Sequence, residues 1–84
     1  MYVVAWTKSA KDELASAWVE SDSTLREAIT AATARIDEVL QSSPSEFGES
    51  RDDHRRIAFV PPLGAAFSVD EAKQRAKVLH VWLF

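Results

Sequence analysis

The chain has no cysteine, only two glycines and three prolines, and no long run of apolar residues. Each shortage removes a class of function. Without cysteine there are no disulfides and no thiolate metal sites, which fits a reducing cytoplasm. Two glycines do not build the Gly-rich loops that cradle nucleotide phosphates, and there is no Gly-x-Ser-x-Gly nucleophile elbow. Neither a bound cofactor nor a metal is expected. A spanning helix needs about 18 or more apolar residues in a row, so membrane insertion is not expected. The opening Met1-Tyr2-Val3-Val4-Ala5-Trp6 lacks a basic stretch ahead of its apolar residues, so no signal peptide is expected. A basic excess is lacking too: ten Lys and Arg face thirteen Asp and Glu, for a net charge of −3 and a pI near 5.3. Proteins that live on nucleic acid carry a basic footprint, because each phosphate contact releases counterions. General nucleic-acid affinity is therefore disfavoured.

What remains is material for one small core. A chain of 84 residues is expected to form a single domain over 1–84, burying about 60–65% of its unfolded surface. Tyr2 to Trp6 is β-branched and aromatic, which predicts a strand. Ser9 and Asp12 have capping-box spacing and predict a helix start. Ala10, Leu14, Ala17 and Trp18 would line one face of that helix, up to Ser21-Asp22-Ser23. A second helix is predicted from Thr24, paired with Glu27 and with Ser23 as a competing N-cap. Leu25, Ile29, Ala32, Ile36, Val39 and Leu40 form its apolar stripe, and alanines at 28, 31, 32 and 34 favour helix and close packing. Pro44 ends it. Two helices so closely joined predict an antiparallel hairpin.

Pro44 to Asp53 reads as a polar loop anchored by Phe47. From Arg56 the period becomes two: Ile57 and Phe59 share one face, Ala58 and Val60 the other. Pro61-Pro62-Leu63-Gly64 reads as a type I turn with Pro62 in its second position. Ala65 to Val69 is a third strand, Asp70 to Arg75 a charged connection, and Ala76 to Trp82 a last, central strand. The fold class is α+β in the order β-α-α-β-β-β, a helical hairpin on a small, mainly antiparallel sheet.

Local wording adds to this order. The chain opens Tyr2-x-Val4-x-Trp6-Thr7-x-x-Ala10-x-Asp12-Glu13-Leu14-Ala15. An alanine-rich helix with Ile36-Asp37-x-x-Leu40 follows, then Pro44, Gly48-Glu49-Ser50-Arg51, Pro61-Pro62-Leu63-Gly64, Phe67-x-Val69 and Val78-Leu79-x-Val81-Trp82. Across its whole length the sequence resembles the RelE/ParE superfamily of type II toxin–antitoxin toxins. The resemblance implies a cytoplasmic growth inhibitor neutralised by a cognate antitoxin. RelE-like members cut messenger RNA in the ribosomal A site, using cationic side chains on the scissile phosphate and an acid–base group. ParE-like members are associated with inhibition of DNA gyrase.

The ribonuclease pattern transfers poorly. It implies an Arg at the start of the third strand, where Gly64 stands. It also implies an Arg and then a Tyr or His after the last strand, where the sequence closes on Trp82-Leu83-Phe84. Only His54, Arg55 and Arg56, with Arg51 nearby, keep a suitable character. The plainer reading of that cluster is a solvated loop neutralised by Asp52 and Asp53. His80 reads as a hydrogen-bonded structural histidine rather than a metal ligand. Trp18, Trp82, Leu83 and Phe84 are the partner-binding candidates, since large apolar groups either cap a core or anchor an interface. The expectation is a toxin that acts by binding, with gyrase a candidate target and homodimer formation left open. A divergent ribosome-dependent endoribonuclease and a non-toxic interaction domain are the alternatives.

Overall fold

The computed structural model describes residues 1–52 and 54–84. Its elements are β1 (Val3–Trp6), α1 (Lys8–Val19), α2 (Ser23–Ser42), a 3₁₀ turn (Pro44–Glu46), β2 (Glu49–Ser50), β3 (Arg55–Val60), β4 (Leu63–Asp70) and β5 (Arg75–Leu83). They form one sheet in the order β1-β5-β4-β3-β2. β1 runs parallel to β5, and the other neighbours are antiparallel. The last strand is therefore interior, as its apolar character predicted.

Both helices start earlier than capping spacing predicted. Thr7, not Ser9, caps α1: its extended backbone lets Oγ1 accept from the Ala10 N–H at 3.1 Å. The same hydroxyl donates to the Leu79 carbonyl of β5 at 3.0 Å, so a tertiary bond selects the cap. Asp22, not Thr24 or Ser23, caps α2, accepting from the Leu25 N–H at 2.8 Å. A carboxylate also suits the positive end of the helix dipole better than a hydroxyl. The turn between the helices is closed by Arg26, whose guanidinium donates to the Trp18 and Val19 carbonyls at 2.8 and 3.1 Å. It also lies 5.5 Å from the centre of the Trp18 ring. A cation thus sits on the negative end of α1.

The α2 stripe is buried as patterned through Ile29, Ala32, Ile36 and Leu40, with Leu25 packed at its margin. Ala28, Ala31 and Ala34 are exposed, so they serve helix propensity alone. Against this stripe the sheet places Leu63, Ala65 and Phe67 of β4, Val78 and Val81 of β5, and Ala58 of β3. Trp6 joins β1 to α2 by donating from Nε1 to the Asp37 carboxylate at 3.1 Å.

The segment after α2 is more ordered than the loop expected of it. Phe47 does anchor it, stacked on Phe67 with ring centres 5.7 Å apart. Beyond it, Glu49 and Ser50 pair with Ile57 and Arg56, and add a fifth strand. Asp53, at the end of the expected loop, lies outside the described residues. The β3–β4 turn also differs. Val60 pairs with Leu63, which makes Pro61-Pro62 the two central residues, joined by a cis peptide bond. Gly64 is consequently a residue of β4 rather than the fourth position of a type I turn.

Candidate functional site: the open face of the sheet

One face of the sheet carries the helices and the core. The other is uncovered, and strand register arranges its side chains in rows, because directly paired residues point the same way. The first row is Phe59–Gly64–Trp82, the second Ile57–Ala66–His80, the third Arg55–Ser68–Lys77. Asp70 and Arg75 close the face at its far end. An irregularity between Ala66 and Phe67 leaves Leu79 unpaired and reverses the alternation along β5. Without it, His80 and Trp82 would point into the core, and Val81 out of it.

The first row is aromatic. The Phe59 ring meets Trp82 edge-on at 6.2 Å and Phe84 at 5.0 Å. Both phenylalanines are largely in solvent, at 54% and 63% exposure. Gly64 is what lets the indole lie down: a Cβ there would meet Trp82 Cε2 at 2.5 Å. The residue at which the resemblance implies an Arg is thus a glycine roofed by an indole ring.

The second row joins the sheet to α1. Glu13 of α1 accepts from the Val81 N–H at 3.3 Å and lies 3.1 Å from His80 Nδ1. Past Trp6, β5 has no strand on its β1 side, so Thr7 and Glu13 satisfy backbone groups that an uncovered edge would leave open. His80 is thus hydrogen-bonded, as read from the sequence, and stands on the open face. No group of His, Asp and Glu among the described residues could hold a metal ion.

The third row is basic. The ion pairs among the described residues are Lys8–Asp12, Arg35–Glu38 and His80–Glu13. Lys77 and Arg75 take part in none of them. Nearby, Asp52 accepts from the His54 and Arg55 backbone N–H groups at 2.9 and 2.8 Å. Those two bonds hold its carboxyl below the usual carboxylate range.

The candidate residues therefore part company. Arg55 is on the open face, and His54 precedes it in an exposed turn. Arg56 points the other way and donates to the Phe47 and Gly48 carbonyls at 2.8 and 2.9 Å, which fastens the preceding loop. His54 and Arg56 both border an open cleft of about 830 Å³ together with Asp52, Ser68, Arg75 and Lys77, and Arg55 does not line it. Trp82 and Phe84 both meet Phe59 on the open face, whereas Leu83 pairs with buried Leu63 and is 37% exposed. Trp18 is remote from all of them. With Trp6, Leu14 and Ile29 it lines an apolar groove of about 600 Å³ between the two helices.

Phe59 was not among the candidates, and neither were Gly64 or Lys77 as parts of a site. Their signal was present as alternation: small Gly64, Ala66 and Ser68 occupy every second position of the middle strand. Small residues there leave room for large neighbours on both sides.

No protein-family model and no curated protein matches the sequence. Solved structures do match the fold. Over 99% of this chain and 91% of the other, the structure superposes on the RelBE2 toxin–antitoxin complex of Mycobacterium tuberculosis, with a TM-score of 0.76 and 16% identity. A chromosomal ParDE TA system from P. aeruginosa gives 0.75 and 18% over 99% and 96% of the two chains. The intact E. coli RelBE toxin–antitoxin complex gives 0.67 and 21% over 100% and 98%. These identities carry the architecture and not the chemistry. Two helices on a five-stranded mixed sheet, in this order and over this length, are the fold of the RelE/ParE toxins.

Proposed function

We propose that this chain is the toxin of a type II toxin–antitoxin pair, that it inhibits growth by binding a cellular target, and that a cognate antitoxin neutralises it. The fold shared with RelBE and ParDE structures supports the pairing with an antitoxin. The observation that carries the mode of action is the Phe59–Gly64–Trp82 row. Cleavage of RNA without a metal needs cations held against the scissile phosphate and an acid–base group within reach of the 2′-hydroxyl. An indole packed on a glycine supplies neither. With exposed Phe59 and Phe84 beside it, it does supply what protein interfaces use, large apolar side chains that can anchor a partner.

The alternative ribonuclease would have to rely on Arg51, His54, Arg55 and Arg56. Arg56 is engaged with two loop carbonyls and turned from the open face, which weighs against that set. A non-toxic interaction domain would keep the same surface. Gyrase is a candidate target, by resemblance alone.

Controlled induction in a bacterial host, with and without the adjacent gene, tests the reading. Growth arrest relieved by the neighbour, with messenger RNA intact, is expected. Arrest with fragmented messenger RNA, abolished by Arg55→Ala in a folded protein, would replace it by the ribonuclease. Unimpaired growth with soluble, folded protein would leave the interaction domain.

A further inference from the structure

The sheet is open, and its two edges are β1 and β2. A free edge is a row of unpaired backbone groups on which another strand can add. The two edges are built differently. β2 has only Glu49 and Ser50, both exposed, followed by Arg51 and Asp52. Brevity and charge discourage further pairing there. β1 has no such protection: Tyr2 to Trp6 contains no charge and no proline, and its register against β5 is regular.

Backbone groups alternate in direction along a strand, which identifies those left over. The Val3 N–H donates to the Gln74 carbonyl and the Thr7 N–H to that of Val78, so the odd-numbered residues face β5. Tyr2, Val4 and Trp6 face outward. The Tyr2 N–H is engaged by the Gln41 carbonyl of α2 at 2.9 Å. Val4 and Trp6 each turn an N–H and a C=O to the side of β1 that has no strand. Both residues are only half-buried, so the helices do not close over this edge.

We propose that β1 pairs antiparallel with β1 of a second copy of this chain, joining the two sheets into one. With Ala5 on the two-fold axis, Val4 of each copy stands opposite Trp6 of the other, and the two exchange both N–H···O bonds. Four bonds then form. They use the free donors and acceptors of both copies and leave the Tyr2–Gln41 bond intact. The side chains suit the same register. Opposed residues that share no bonds approach closest, at about 4.5 Å between Cα atoms, and exposed alanine stands at that place. On the helix side, Val4 meets Trp6, a β-branched residue against an aromatic one.

Self-complementarity favours a second copy over an unrelated strand. The free groups lie symmetrically about Ala5, and the uncharged strand brings no like charges together at the axis. A two-fold contact also closes: it consumes the unprotected edge of each copy and leaves the charged β2 edges outside. The contact is one short strand from each copy, below the roughly 800 Å² per partner of a standard interface. The dimer is therefore weak and dissociates on dilution.

Sedimentation velocity of the full chain, over a concentration series reaching about 1 mM, tests the proposal. The expected result is a shift from monomer toward dimer and no further. Val4→Pro removes an outward N–H that β5 does not use, and should raise the dissociation constant about tenfold or more. Ala5→Lys and Ala5→Glu each place like charges face to face on the axis and should raise it about fivefold. An equimolar mixture of those two variants should associate more tightly than either alone. Ser50→Lys, on the β2 edge, should change nothing. Circular dichroism establishes that each variant is folded. Monomer throughout, a dimer insensitive to the β1 changes, or no rescue in the mixture would overturn the proposal. Growth beyond a dimer would overturn it too, since a two-fold contact closes. A chain that is monomeric alone but binds the product of the adjacent gene, with binding lost in Val4→Pro, would assign the edge to a partner strand instead.

Discussion

The two faces of the sheet are made from the same strands, yet they solve opposite problems. On the covered face, Leu63, Ala65, Phe67 and Val78 are fully buried and Ala58 and Val81 nearly so, packed against Ile29, Ile36 and Leu40. Burial there contributes about 25 cal/mol for each Å² of apolar surface removed from water. On the open face, Phe59 and Phe84 are just as apolar and remain in solvent. A residue type alone therefore says little about stability. What counts is whether a second layer lies over it, and the two helices lie over one side only.

The contrast is most sharply tested by phenylalanine truncation. Phe67→Ala removes a fully buried ring stacked on Phe47 and should cost about 3–5 kcal/mol, read as a lower urea midpoint. The matching Phe59→Ala on the open face should stay within about 1 kcal/mol, since that ring is already wet. Equal costs would mean that the open face is covered in solution.

Arginine gives a second, smaller contrast. Arg56→Ala leaves the Phe47 and Gly48 carbonyls without their charged donor and should destabilise by about 1.5–3 kcal/mol. Its neighbour Arg55, on the other face, should be replaceable by Ala within about 0.5 kcal/mol. A chemical denaturation series on the two variants checks both.

Backbone conformation gives a third. Gln74, in the turn between β4 and β5, has φ of 53°, the left-handed region that a side chain disfavours. Gln74→Gly should therefore stabilise by up to about 1 kcal/mol, visible as a raised Tm. A lowered Tm would show that Gln74 makes a contact outweighing its backbone cost.

The smallest effect concerns acid. The Asp52 carboxyl is held below its ordinary range by the His54 and Arg55 N–H groups. A group depressed in the folded state adds stability above its unfolded pKa and loses it as pH falls through the folded value. Asp52→Ala should accordingly be slightly less stable than the parent near neutrality. The gap should close as the pH falls through and below the ordinary carboxylate range, and a gap that persists at the acid end would assign the loss to geometry rather than charge.

Most of the architecture was legible in the residues. Period-four and period-three spacing marked both helices, period-two spacing marked the meander, and Pro44 marked the end of α2. What escaped was set by partners distant in sequence. Thr7 caps α1 because Leu79 offers its hydroxyl an acceptor 72 positions on. Glu49 and Ser50 become a strand because β3 has a free edge, and two residues carry no readable period. Of the candidate site, Trp82 and Phe84 stood among the partner-binding candidates and Arg55 among the ionisable ones, and all three lie on the open face. The separation of Arg56 from Arg55, and of Leu83 from Trp82, follows from the two-residue alternation once the pairing partner is known.

The sequence by itself determined the class of protein: a cysteine-free α+β chain with one helical hairpin and a closing meander, and a net charge of −3. Composition and local periodicity are properties of neighbouring residues, so they can be read in one dimension. Only the tertiary structure decided which side of the sheet is covered and that Gly64 lies beneath Trp82. It also decided that aromatic and basic rows share one open surface. Register and the irregularity beside Leu79 set these features, and register is a relation between strands that no single strand contains.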